Sequence, residues 1–174
     1  MKMITRNFNH ERLGIIIGIT RQARVALSTA YAYVLKREAF RKPLMDQAVV
    51  RNRLARAGAE LESLSAWVDQ LVYQMSTLDK HTADNELGGP LALAKAKAGL
   101  VLDECARCAV ILFGGNGFTR TGQGELIEKI YREIPAARIP GGTEDVMFDL
   151  AVRQLTKRYR AKTKALEASL RSNL

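Results

Sequence analysis

PLALAKAKAGLVLDECARCAVILFGGNG, residues 90–117, decides the fold class. Pro90 suits the first position of a helix, where its missing N–H removes no hydrogen bond. Alanine and leucine then recur without interruption as far as Phe113, and both are strong helix formers. Gly114-Gly115-Asn116-Gly117 ends the run, glycine being the residue that closes a helix in left-handed backbone. These signals predict one long helix over Leu91–Phe113.

The same period extends outward in both directions. Leu13, Ile16, Ile17, Ala23, Leu27 and Ala30 repeat at helical spacing, with Asn9 as the N-cap and Glu11 in the first turn, up to Lys36. Arg41-Lys42-Pro43 breaks the chain. A second helix is expected from Asp46 to Met75 on Val49, Leu54, Leu61, Leu64, Val68, Leu71 and Val72, followed by a polar break from Asp79 to Gly89. Beyond the glycine cluster a short helix is expected at Leu126–Arg132. Thr143 then caps a last helix, with Glu144 and Asp145 at the positive end of its dipole. Gly14, Gly18 and Ala23 to Ala30 are expected to let neighbouring helices approach closely. No segment alternates with period two long enough to make a strand. The fold class is therefore all-α, an up-down four-helix bundle with one extra short helix.

Composition agrees with one globular unit. The chain has 174 residues, of which 47% are apolar. With its charges spread along the chain and only four prolines, it does not read as a disordered linker. The apolar run from Leu13 to Ile19 falls far short of the roughly 20 residues that span a bilayer. Lys and Arg number 27 against 18 Asp and Glu, giving +9. Most of that excess lies beyond Ala151, on Arg153, Lys157, Arg158, Arg160, Lys162, Lys164 and Arg171, against Glu167 alone. Nucleic acid is the disfavoured partner, because cations in the last turns of a helix suit its dipole. Cys105 and Cys108 form a lone C-x-x-C with no second pair and no nearby histidine to complete a zinc site, so no metal is expected. They read as buried thiols of a reducing, intracellular compartment, with cytoplasm, mitochondrion and peroxisome left open.

A helical scaffold carries chemistry at its breaks. Arg37 to Leu44, followed by Gln47, combines cations, the Phe40 ring and an amide, a set able to hold phosphate and a flat base. Gly114 to Gly117 lets a ligand approach the backbone, although a helix cap explains two of the three glycines without one. Ile139-Pro140-Gly141-Gly142-Thr143 feeds a helix N-terminus, a natural anion site.

In this order the segments resemble the C-terminal helical domain of the acyl-CoA dehydrogenase family. The likeness is carried by Asn9-His10-Glu11-Arg12-Leu13, by Arg37-x-x-Phe40-x-Lys42-Pro43-Leu44 with Gln47, and by Phe113-Gly114-Gly115-Asn116-Gly117-Phe118. Tyr131-Arg132-Glu133 and Gly142-Thr143 continue it, so that it covers about Met3 to Tyr159. It implies a bundle domain over residues 1–160, a basic helical extension over 161–174, and a longer parent protein with two further domains ahead of the bundle. By the same resemblance the chain alone is inactive, and it forms a homodimer or homotetramer through the bundle. The cofactor implied is FAD. Arg37 would meet its pyrophosphate, Phe40 and Gln47 the adenine end, and Gly114, Gly115, Asn116 and Gly117 the same ADP portion, all supplied to a neighbouring subunit. Thr143 and Asp145 would approach the FAD of their own subunit.

The family removes the α-proton of an acyl-CoA thioester with a carboxylate while hydride leaves Cβ, and the electrons pass to a further acceptor. The carboxylate usual just before Gly-Thr is replaced here by Gly141. A minority of members carry it on the first bundle helix before an arginine, which matches Glu11, and Asn9 and Arg12 flank the same pocket as substrate contacts. Arg41 replaces the glycine usual after Phe40, Asp46 stands where an aromatic is common, and Pro135 and Pro140 are expected to interrupt the segment before Gly141. Two other readings stand beside this one: the same fold with a different or lost flavin reaction, and a basic helical module binding nucleic acid or protein.

Overall fold

Alanines and leucines give the segment after residue 87 an apolar surface on nearly every side, and such a helix belongs at the centre of a bundle. The computed structural model, which describes residues 8–172, places it there. Six helices make up almost all of the described residues: α1 (Phe8–Lys36), α2 (Ala48–Thr77), α3 (Lys80–Glu86), α4 (Gly88–Phe113), α5 (Glu125–Arg138) and α6 (Glu144–Ser172). The four long helices α1, α2, α4 and α6 form the bundle. They are joined through α4, which packs against α1, α2, α5 and α6. Ile16, Ala23, Ala26, Ala30 and Val34 of α1 and Leu54, Ala57, Leu61 and Leu64 of α2 bury against Leu91, Ala94, Ala98, Leu102 and Cys105 of α4. A fully buried Leu or Ile contributes roughly 2 kcal/mol of transfer free energy, so this seam dominates stability. Ala92 and Ala96, on another face of α4, pack with Met147 and Ala151 of α6.

Several boundaries differ from those the sequence predicts. Asn9 does not cap α1; the helix is already formed at Phe8. Residues 3–7, where the family resemblance begins, lie outside the described residues. Pro90 is the third residue of α4 rather than the first, still within the turn that has no N–H partner. The expected polar break contains α3, capped by Asp79, whose Oδ1 accepts from the N–H groups of His81 at 3.0 Å and Thr82 at 3.1 Å. Pro135 does not end a helix at Arg132. It sits inside α5 on the solvent-exposed side, and the helix runs on to Arg138. Gly14 and Gly18 do not bring helices together: both are exposed, and no atom lies within 4 Å of a Cβ built on either. The close approach comes from Ala23, Ala26 and Ala30 instead.

Helix α4 ends at Gly114, whose φ of 59° and ψ of −134° differ from the left-handed helical closure expected and lie in backbone that glycine adopts freely. Residues 114–118 continue as a 3-10 turn. Between α1 and α2 a two-residue hairpin pairs Glu38 with Pro43 and Ala39 with Lys42. Helix α6 runs unbroken through residue 160 to Ser172. Among the described residues no helix is long and apolar enough to cross a membrane.

Candidate functional site

Two groups of the expected site residues form, at opposite ends of α1. Glu11 lies in its first turn and Arg37 just past its last residue. At about 1.5 Å of rise per residue, the two stand roughly 40 Å apart along the helix axis.

At the first end, the turn between α5 and α6 folds back onto the start of α1. Gly141 has φ of 73°, and a Cβ there would stand 3.0 Å from Ile15 Cδ1, 3.6 Å from Arg12 Cγ and 3.8 Å from Lys95 Cε. Arg12 Nε donates to the Gly141 carbonyl at 3.3 Å. Burial holds the Arg12 guanidinium below its usual pKa, opposed by the charge of Glu11. Glu11 is exposed in the first turn of α1, beside Arg12. Thr143 and Asp145 are exposed at the start of α6, where the Thr143 carbonyl accepts from the Met147 N–H at 2.9 Å. The turn that holds Gly141 and the helix that holds Glu11 are thus in direct contact.

A cavity of about 500 Å³ opens beside this contact, lined by Asn9 and Arg12 of α1, His81, Asp84 and Asn85 of α3, and Gln154 of α6. His81, Asp84 and Asn85 are not foreseen by the sequence reading. The available signal is Asp79, a cap residue at the head of a segment assigned to a polar break.

At the other end the hairpin turns through Phe40 (φ 56°) and Arg41 (φ 62°), two left-handed residues in succession and neither of them glycine. Two-residue hairpins of this hand normally use Asn-Gly, so Arg41 occupies a position that favours glycine. The turn displays Phe40 at 90% exposure, between Arg37 and Lys42. Gln47 is half-buried and precedes α2. Nearby, Asn116 Nδ2 donates to the Tyr33 hydroxyl at 3.2 Å, and the Tyr33 ring stacks on Phe113 at 4.1 Å. A cavity of about 450 Å³ lies among Tyr33, Lys36, Arg37, Phe113 and Gln123, joining the end of α1 to the end of α4 at one surface. Open space surrounds Gly114 and Gly115, whereas a Cβ at Gly117 would come 2.8 Å from the Val110 carbonyl oxygen. Gly117 therefore serves packing, and the first two glycines leave backbone accessible. Cations, a presented ring and open backbone suit phosphate and a flat base.

Cys105 and Cys108 are free and buried, and burial raises their pKa values to about 12 and about 11. They behave as core residues, as the sequence reading has them.

Comparison with known proteins bears on the fold and the family. A family model described as acyl-CoA dehydrogenase, C-terminal domain, matches residues 1–156. The acyl-CoA dehydrogenase apdG of Emericella nidulans is 64% identical over 166 residues, covering 95% of this chain and 38% of the relative. The acyl-CoA dehydrogenase AFT10-1 of Alternaria alternata is 31% identical, over 89% of this chain and 36% of its own length. The crystal structure of acyl-CoA dehydrogenase from Geobacillus kaustophilus superposes with a TM-score of 0.77 at 28% identity, over 87% of this chain and 38% of that one. The chain thus spans little more than a third of the length of these relatives. A helical bundle with the motifs in this order and a family match over most of its length leaves one assignment: the chain belongs to the acyl-CoA dehydrogenase family, as its C-terminal domain.

Proposed function

We propose that this chain is the FAD-binding and oligomer-forming helical domain of a flavoprotein that oxidises an acyl-CoA thioester between Cα and Cβ, with Glu11 as the base. The observation that carries the reading is the contact of Arg12 with Gly141. A carboxylate borne by the α5–α6 turn and one borne by the first turn of α1 would approach the same volume from two sides, so the chemistry keeps its base although residue 141 has no side chain. Glu11 takes the α-proton as the Cα–H bond breaks, hydride leaves Cβ, and a double bond forms between the two carbons. Asn9 and Arg12 line the adjoining cavity and orient the thioester.

FAD, when bound, supplies the acceptor for that hydride. Its ADP half would lie at the hairpin end, where Arg37 would meet the pyrophosphate, Phe40 and Gln47 the adenine end, and Gly114, Gly115 and Asn116 would border the same portion, with Gly117 packed on Val110 to hold their turn. By the family resemblance these groups would act on the cofactor of a second copy, a reading that the whole length of α1 between them and Glu11 supports, while Thr143 and Asp145 would approach the chain's own. A homodimer or homotetramer completes each site, and a separate electron acceptor reoxidises it.

Anaerobic mixing of the flavin-loaded full-length protein with a panel of acyl-CoA thioesters tests the reading. Loss of flavin absorbance with one chain class is expected. A protein that holds FAD and bleaches with none would favour a different flavin reaction, the reading to which Gly141 lends weight.

A further inference from the structure

Lys95 is the one charged residue among the described residues that is wholly buried, with 0% of its surface exposed. Its Nζ donates to two backbone carbonyls, that of Arg138 at 2.5 Å and that of Gly142 at 2.7 Å. The first is the last carbonyl of α5, which has no partner within its own helix. The second belongs to a left-handed glycine just before α6 (φ 112°). One ammonium therefore ties the end of α5 to the start of α6 across the turn that carries Gly141.

The surrounding charges hold it in place. Arg138 Nε donates to Glu144 at 2.8 Å and Arg138 Nη1 to Asp103 at 3.2 Å. Gly99, one turn along α4 from Lys95, admits this pair, since a Cβ there would stand 2.6 Å from Glu144 Oε1. Burial lowers the Lys95 pKa, Glu144 opposes the shift, and Arg138 adds to it. The turn is thus held by Lys95 at the Arg138 and Gly142 carbonyls and by Arg12 at the Gly141 carbonyl between them.

We propose that Lys95 is the positioning residue of this site, its ammonium fixing the Gly141–Gly142 backbone at the depth that sets Arg12, and through it Glu11, against the reacting carbon. The inference rests on the reading of Glu11 as base, and its test separates the two. Lys95→Met removes both donors at similar length. In the 174-residue chain, amide exchange over residues 139–147 is expected to quicken at least tenfold in Lys95→Met, with α1 and α2 unchanged. In the flavin-loaded full-length protein, the rate of thioester-driven flavin reduction is expected to fall about 100-fold while substrate affinity stays within about threefold, the mark of lost alignment rather than lost binding. Lys95→Arg, which keeps donors and charge, is expected to recover at least about tenfold of that rate. Unchanged exchange over residues 139–147 in Lys95→Met would overturn the tether whatever the activity. Faster exchange with a reduction rate within about threefold of the parent would overturn the positioning role. Should Lys95→Met not fold, Lys95→Gln, neutral and one bond too short to bridge both carbonyls, is expected to quicken exchange over residues 139–147 in the same direction, and unchanged exchange in it would overturn the tether. A parent protein that reduces no flavin with any thioester contradicts the Glu11 reading instead, and exchange then decides the tether alone.

Discussion

Arg12 and Gly141 are 129 residues apart in sequence, and Arg12 Nε stands 3.3 Å from the Gly141 carbonyl oxygen. The helix that carries Glu11 is thereby joined to the turn where most relatives of this fold, by the resemblance noted above, would carry their base. Gly141 is more than a missing carboxylate. Its left-handed backbone and the nearness of Ile15 leave no unstrained place for a side chain.

Gly141→Glu introduced together with Glu11→Gln is therefore expected to leave thioester oxidation unrestored. A Cβ at 141 would stand 3.0 Å from Ile15 Cδ1. A non-glycine residue in left-handed backbone costs a further ~1–2 kcal/mol. Flavin reduction by the double variant measures it; recovery to within tenfold of the parent would show that the turn accepts a base after all.

The hairpin stores strain that one substitution can release. Arg41 holds φ of 62° without being glycine. Arg41→Gly removes the left-handed penalty and returns part of it through the looser unfolded chain, a net gain of about 0.5–1 kcal/mol. A raised urea midpoint with an unchanged m-value is the expected result.

Acid should loosen the junction of α5 and α6. Burial pushes the Glu144 carboxyl up, but its hydrogen bond to Arg138 and the charges of Arg138 and Lys95 outweigh this and hold it below the ordinary carboxylate range. A carboxylate whose folded pKa is depressed stabilises the fold above its unfolded pKa and loses that contribution as pH falls through the folded one. Glu144→Gln is expected to cost about 2 kcal/mol at neutral pH, and the gap from the parent to close as the solution is acidified below the carboxylate range. Urea midpoints of both proteins at neutral pH, in mild acid and in strong acid check the sign.

Two thiols with pKa values raised to about 12 and about 11 should be inert in the folded chain, because the thiolate is the reactive form. In mildly alkaline buffer a disulfide reagent is expected to modify neither Cys105 nor Cys108 until urea unfolds the protein, and then to modify both. Counting thiols released with and without urea measures this.

The bundle is legible in the sequence because α4 announces itself at both ends and along its length. The site is legible only in part. Asn9-x-Glu11 reads as a cap because nothing local tells Asn9 that the helix has already begun at Phe8. Pro135 reads as a stop, yet one lost hydrogen bond on an exposed face is tolerated by a helix anchored through Ile127, Ile130 and Ile134. Lys95 and Lys97 look alike in the run of alanines. Two residues apart on a helix, they point to nearly opposite sides. One therefore reaches beneath the Gly141 turn and the other reaches Glu60 on the surface. Pairing across 129 residues, as between Arg12 and Gly141, leaves no trace in local pattern.

The central claim is that Glu11 removes the α-proton. The most direct measurement follows exchange of that proton with solvent deuterium in an acyl-CoA thioester held by the flavin-loaded full-length protein, beside its Glu11→Gln variant. The parent is expected to catalyse exchange and the variant to be slower by at least about 100-fold with thioester affinity retained. Equal exchange rates in the two proteins would contradict it.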